Sequence, residues 1–236
     1  MRTIMSGQTI YLDGEYLAKN PGWHIEESPW KAKQILRMLQ RNHVAPRTVC
    51  DAGCGAGEVL KQLQESLDGE CLFRGYDISP QALEMCRSRA NERLEFKLAD
   101  ICREKNIYFD LLLVLDVIEH LEDYFTFLRD LRTKATYKIF HIPLDLCVQT
   151  VLRQNGILRR RDLYAHIHYF TKETALRTLE DTGYRVRHYF YTPRMIDLPI
   201  DRLQRILKVP RRIGLALHPD LAVRLLGGFS LLVLAT

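Results

Sequence analysis

Two rhythms of apolar and polar residues alternate along this chain of 236 residues. Short, mostly apolar runs near 47–52, 71–76, 94–99, 109–115 and 136–142 read as strands buried on both faces. Between them apolar positions recur every three or four residues, as Val59, Leu60, Leu63 and Leu67 do. That spacing predicts helices near 57–67, 80–90 and 122–133. Ser28-Pro29 opens an earlier helix with Ala32, Ile35, Leu36 and Leu39 on one face. After Pro143 another helix is predicted, over about 144–155. Thr171 caps a helix at 172–182 whose Ala175, Leu176 and Leu179 point inward, and Gly183 ends it. Residues 184–191 alternate as a strand, and 229–235 are apolar enough to lie inside the sheet. Strands separated by helices predict an α/β, doubly wound, mostly parallel sheet.

Two segments fall outside that alternation. Residues 1–46 precede the first core strand and form a predicted N-terminal helical cap. Tyr11, Tyr16, Trp23, His24 and Trp30 cluster there, and the Ser28-Pro29 helix is expected to lie across the cleft as a lid. The core, 47–236, contains a predicted basic helical insertion at 193–227, before the last strand. Pro199 to Pro210 carries Ile200, Leu203, Ile206 and Leu207 on one face and Arg202, Arg205 and Lys208 on others. Arg211 and Arg212 follow, and Pro219 opens a second short helix. Such a stretch either packs on the core with its arginines in water, or touches a membrane surface or acidic partner through 199–212.

The turn after the first strand carries the candidate chemistry. Asp51-Ala52-Gly53-Cys54-Gly55-Ala56-Gly57-Glu58 joins that strand to a helix. Glycines there let a ligand approach bare backbone. A pyrophosphate at a helix N-terminus needs donors and no nearby carboxylates. Asp51 and Glu58 instead favour a ligand bearing an ammonium and a sulfonium, the charges of S-adenosylmethionine. Asp77 ends the second strand, 24 residues after Gly53. It can accept both hydroxyls of an adenosine ribose. Asp100-Ile101 ends the third strand, where an acid can meet an adenine amino group while the apolar neighbour packs on the ring.

The series DAGCGAGE, YDISP, LADI and FDLLLVLDVIEHLED resembles the class I S-adenosylmethionine-dependent methyltransferases, most closely the quinone and small-molecule branch. The likeness runs from about Arg47 to Tyr191. It implies a Rossmann-like seven-stranded sheet whose last strand is antiparallel. It also implies that Asp51, Gly53, Cys54, Gly55 and Gly57 line the methionine end, that Asp77 and Ile78 hold the ribose, and that Asp100 and Ile101 hold the adenine. Leu115 and Asp116 would close the pocket beside the reactive methyl. His120, just after the fourth strand, is a candidate base. Trp23, His24, His166 and Tyr169 are candidate acceptor contacts, and His168 a second candidate catalytic residue. One of the two histidines at 166 and 168 is expected to orient substrate while the other caps a backbone group. Glu119, His120, Glu122 and Asp123 do not converge on one helical face. No metal is therefore predicted, although similar enzymes that act on catechols need magnesium.

Composition narrows the rest. The hydrophobic and charged fractions, 47% and 27%, are those of a globular protein. The start of the chain lacks a signal-peptide pattern and no apolar run nears the roughly 20 residues of a membrane span. Six cysteines without a C-x-x-C pair read as reduced thiols in a cytoplasmic protein. Residues 1–149 hold 19 Lys/Arg against 22 Asp/Glu, and residues 150–236 hold 15 against 7. A basic C-terminal half points to an anionic acceptor or simply to a soluble surface. The expected reaction is methylation of a small-molecule or glycan-precursor acceptor, on oxygen. RNA or protein methylation is the alternative. Against it, Leu115-Asp116-Val117-Ile118 lacks the Asn/Asp-Pro-Pro-Tyr/Phe turn, and no nucleic-acid module is attached. A cofactor-binding protein without turnover is a third reading.

Overall fold

The computed structural model describes residues 11–199 and 202–236, apart from the side chain of Leu203. The expectations placed on residues 1–10, Ile200 and the Leu203 side chain lie outside the described residues. The strands are β1 (Thr48–Ala52), β2 (Leu72–Asp77), β3 (Leu94–Leu98), β4 (Phe109–Leu115), β5 (Ala135–Pro143), β6 (Val186–Thr192) and β7 (Ser230–Ala235). They form one seven-stranded sheet in the order β3-β2-β1-β4-β5-β7-β6. β1 to β5 pair in parallel, and β7 runs antiparallel to both β5 and β6. The Rossmann-like sheet expected from the sequence is the sheet observed.

The helices before β4 are α1 (Glu15–Lys19), α2 (Ser28–Arg41), α3 (Glu58–Ser66) and α4 (Pro80–Cys86). Those after it are α5 (Tyr124–Leu131), α6 (Val148–Leu152), α7 (Gly156–Tyr164), α8 (Lys172–Asp181), α9 (Arg194–Asp197), α10 (Arg202–Leu217) and α11 (Pro219–Leu226). The two-residue strand period sorts the core onto two faces. Val49, Leu111, Leu113, Ile139 and Leu232 share one buried cluster with Ile35 and Met38 of α2 and Leu60 and Leu63 of α3. Cys50, Leu112, Val114, Phe140 and Val233 share the other with Leu128 and Leu131 of α5 and Ala175 and Leu179 of α8.

That sorting corrects the reading of α2. Ile35 and Met38 are fully buried against the sheet, so this helix is part of the core layer and not a lid. The stretch before it, 11–27, contributes Tyr11, Tyr16, Trp23 and His24 to the cleft wall. Three other boundaries differ. The helix predicted over 80–90 ends at Cys86 and continues as a 3-10 turn, Arg87–Arg89. The helix predicted over 144–155 is only α6, after which Asn155 takes a left-handed φ of 80° and starts α7. α7 buries none of its residues, so it has no apolar stripe to announce it. Finally, α10 does not stop at Pro210 but runs through it to Leu217. Pro210 and Ile206, whose carbonyl loses its helical donor, are both exposed, so water can serve that carbonyl.

The β6–β7 connection is helical as expected, but its faces are not. Ile206 is 63% exposed, whereas Arg211 is buried. Among the described residues no helix is long and apolar enough to cross a membrane. None of the six cysteines is disulfide-bonded, and five are buried.

Candidate active site

The carboxyl ends of β1, β2, β4 and β5 open on one cleft, at the point where strand order reverses on either side of β1. Ligands bind open α/β sheets at such a switch point. The cleft has a volume of about 630 Å³.

Its first wall is the glycine turn. The Gly53 and Cys54 amides donate to the Tyr76 carbonyl at 2.8 and 3.0 Å, tying the turn to β2. Gly57 has a φ of +77° at the start of α3, and a Cβ placed there would lie 2.5 Å from the Phe96 ring. Only glycine meets both demands. A Cβ on Gly55 would meet Trp23 Cδ1 at 2.7 Å, so Trp23 lies directly on the turn.

The strand-end acids form the floor. Asp77 accepts the Gly55 amide on Oδ2 and the Ser79 amide on Oδ1, each at 2.8 Å. Asp51 is buried and its Oδ1 has no hydrogen-bond partner. Burial, reinforced by the nearby Asp77, pushes the Asp51 carboxyl up to about 7. Burial likewise raises Asp77 to about 6, against the backbone amides of Ser79, Gly55 and Ile78. Asp100 caps the turn at Ile101 by accepting the Cys102 amide at 2.9 Å. Asp116, with a left-handed φ of 53°, receives Lys31 Nζ at 2.6 Å and His141 Nδ1 at 2.6 Å. Burial alone would raise its pKa, but His141 and Lys31 outweigh it and hold the carboxyl well below the usual range.

The far end of the cleft gathers histidines. His120 donates from Nδ1 to the Ala165 carbonyl at 3.1 Å. His166 donates from Nδ1 to Asp145 Oδ2 at 2.5 Å, and Arg160 Nε lies 3.3 Å from Asp145 Oδ1. Between the rings lies Glu119, fully buried, with neither carboxylate oxygen hydrogen-bonded. Burial, and then Asp116, push its pKa well up. Burial, with His166 as the next cause, lowers His120 to about 3.

Every sequence-predicted cofactor residue lines this cleft: Asp51, Gly53, Cys54, Gly55, Gly57, Asp77, Ile78, Asp100, Ile101, Leu115 and Asp116. Trp23, His24, His120 and His166 line it too. His168 and Tyr169 do not, and His168 is the histidine of the pair that meets a backbone group. His168 donates from Nε2 to the Leu121 carbonyl at 2.9 Å, and the Tyr169 hydroxyl donates to the His166 carbonyl at 2.8 Å. Both brace the segment that presents His166. Trp30 also leaves the aromatic group, donating from Nε1 to Asp197 Oδ2 at 2.9 Å.

Sequence reasoning missed Lys31, Asp145, Arg160, Tyr164 and Arg194, all in the cleft wall. Asp145 carries the same signal as Asp51, Asp77 and Asp100, an acid just after a strand. Lys31 carries none, because a lysine early in an amphipathic helix is ordinary.

The donor set suits the donor expected from the sequence. An unpartnered buried carboxylate on Asp51 fits an ammonium, and strand-end acids at Asp77 and Asp100 fit ribose and base. The methyltransferase-domain family model matches residues 23–189, most of the chain, and the chain belongs to that family. It is a methyltransferase of the class that uses S-adenosylmethionine. No curated protein matches it in sequence. Among solved structures it is similar to magnesium protoporphyrin IX methyltransferase from Synechocystis with bound SAH. That match has a TM-score of 0.58 and 17% identity, over 88% of this chain and 81% of the other. The N-methyltransferase NodS from Bradyrhizobium japonicum, in complex with S-adenosyl-L-homocysteine, matches with a TM-score of 0.56 and 17% identity, covering 87% and 84%. A chain from the complex of a Haloferax volcanii methyltransferase with its activator matches with a TM-score of 0.63 and 15% identity, covering 95% and 94%. At such identities these likenesses establish the fold.

Proposed function

Proceeding from that family membership, we propose that the chain methylates an oxygen of a small molecule or glycan precursor held under the lid. The observation that carries this reading is the closure of the cleft. Trp23 covers the glycine turn, and Tyr11, Tyr16 and His24 line the mouth beside it, an enclosure that suits a small acceptor better than a folded macromolecule. When bound, S-adenosylmethionine supplies a methyl group already activated on sulfur. What the protein must do is align the acceptor with it and exclude water.

On this reading Asp51 holds the ammonium of the donor, Asp77 the ribose and Asp100 with Ile101 the adenine. Leu115 packs beside the sulfur. Asp116 serves indirectly, since its carboxylate is engaged by Lys31 and His141. Lys31, Arg160 and Arg194 are each held by a carboxylate, of Asp116, Asp145 and Glu27 respectively. Acceptor selection therefore rests on shape and hydrogen-bonding groups more than on free positive charge. His120 lines the cleft with its Nδ1 held by the Ala165 carbonyl and its Nε2 toward Glu119. With its pKa at about 3, it is a weak proton acceptor at neutral pH and acts as a lone-pair donor.

A separate observation favours peripheral contact with an anionic lipid surface. Ile206, Val209, Ile213 and Leu217 form one stripe along α10 and are each more than half exposed. Exposed Arg202, Arg205 and Arg212 accompany the stripe. Apolar insertion flanked by cations is the signature of a helix lying on such a surface.

The test is incubation with S-adenosylmethionine labelled in the methyl group and fractionated cell extract. Alkali-stable label in small molecules or lipid-linked glycans supports the proposal. Label confined to RNA or protein supports the alternative, and none with intact cofactor binding supports a protein without turnover.

A further inference from the structure

Glu119, His120 and His166 face one another at the far end of the cleft. The Nδ1–H of His120 is committed to the Ala165 carbonyl, and that of His166 to Asp145. Each ring therefore turns its Nε2 toward Glu119 Oε1, at 3.8 and 4.0 Å. These contacts are too long for hydrogen bonds. The three donor atoms all lie within 4.8 Å of one another. Two ring nitrogens and a carboxylate converge in a buried place where Glu119 has no hydrogen-bond partner at either oxygen. A cation at the centre of this set would meet all three atoms at once and offset the burial of the carboxylate.

We propose that Glu119, His120 and His166 bind a divalent transition-metal ion that holds the acceptor oxygen. Two imidazoles and one carboxylate suit zinc, cobalt or manganese better than magnesium, which prefers oxygen ligands throughout. Two ligands of a tetrahedral ion with bonds of about 2.1 Å stand roughly 3.4 Å apart, so the two glutamate–histidine spacings need to close by about half an ångström and the rings must draw together with them. The outer partners are of the kind that metal-binding histidines use. Asp145 fixes the His166 tautomer through its 2.5 Å hydrogen bond, and a backbone carbonyl fixes that of His120. Three protein ligands leave a coordination position open toward the cleft, where an acceptor hydroxyl can enter. A bound dication also reverses the pressure of burial on Glu119 and keeps it ionised. The site itself is independent of the acceptor, and only its role in holding an oxygen rests on the reading above.

The site is tested with the metal alone. Full-length, tag-free protein is stripped with chelator and titrated with Co²⁺, following the visible absorption of the ion, and then competed with Zn²⁺. The expected result is one saturable site per chain with a nitrogen and oxygen ligand spectrum. Glu119→Gln and His166→Ala should weaken it by roughly 100-fold or more, and Asp145→Asn by about 10- to 100-fold. S-adenosylhomocysteine affinity, measured in parallel, checks that each variant is folded, and Glu119→Gln carries the test if His166→Ala does not fold. Absence of a stoichiometric site in the wild-type protein, or Glu119→Gln binding like wild type, overturns the proposal. Loss of S-adenosylhomocysteine binding by the wild-type chain would count instead against the methyltransferase reading.

Discussion

Lys31 Nζ lies 2.6 Å from Asp116 Oδ2, joining the first turn of α2 to the end of β4 at the floor of the cleft. Both side chains are largely buried, and His141 approaches the other Asp116 oxygen at 2.6 Å. Removing one partner of a buried pair leaves a charge without its counterpart. Lys31→Ala should lower unfolding stability by about 2 kcal/mol, the remaining His141 contact limiting the loss. Urea unfolding of Lys31→Ala, Asp116→Asn and the double variant measures the coupling, which independence of the two single changes would refute.

Burial raises the carboxyls of Asp51 and Asp77 to about 7 and 6. Protonated acids do not attract a cation, so affinity for S-adenosylmethionine should rise between pH 5.5 and 8, by on the order of 10- to 30-fold, and then level off. Asp51→Asn should remove the upper part of that rise. Calorimetric titration across the range decides it. The same shifts act on stability in the opposite direction. Without ligand the native state holds protons that the unfolded chain has released above about pH 4, so stability falls from pH 4 to about 7 and is flat beyond.

Gly57 combines a φ of +77° with the Phe96 ring 2.5 Å from its absent Cβ. Gly57→Ala should therefore cost about 2 kcal/mol or more and disturb cofactor binding. Gly69→Ala is the control, because nothing lies within 4 Å of a Cβ there. Its change should stay within about 0.5 kcal/mol. Equal thermal shifts in the two variants would contradict the account of the turn.

His120→Ala should reduce kcat by about 100-fold while leaving S-adenosylhomocysteine affinity nearly unchanged, since the ring faces the acceptor end. With its pKa lowered to about 3, His120 should contribute no ionisation near pH 6.5 to the kcat profile. Stopped-time assays with the identified acceptor read both quantities.

The exposed stripe on α10 predicts binding to vesicles rich in anionic lipid. Ile206→Asp combined with Val209→Asp should reduce that binding by at least about tenfold, and added salt should weaken the wild-type interaction as well. Co-sedimentation with anionic and with neutral vesicles measures it. Equal binding of wild type and variant would remove the membrane reading.

Strand positions, their order as parallel elements and the strand-end acids that line the cleft were legible from sequence because each depends on local pattern. Two-residue and 3.6-residue periods place apolar side chains, and an acid at a strand end lies at the ligand-facing edge of any parallel sheet. Asp51, Asp77 and Asp100 were found for that reason, and Asp145 obeys the same rule. α7 was missed because it buries nothing.

The histidine cluster at the far end of the cleft was decided only by tertiary structure. His166 lies 46 residues beyond His120, yet Nε2 atoms of both point at the same Glu119 oxygen. Spacing along one helix cannot report that convergence, which depends on the loop after α7 returning to β4. Likewise His166 and His168 are near neighbours in the chain, but one meets Asp145 and the cleft while the other meets the Leu121 carbonyl. Local periodicity selects which face a residue occupies. Which charges then meet across that face depends on the packing of distant segments, where burial and pairing set the electrostatic energy.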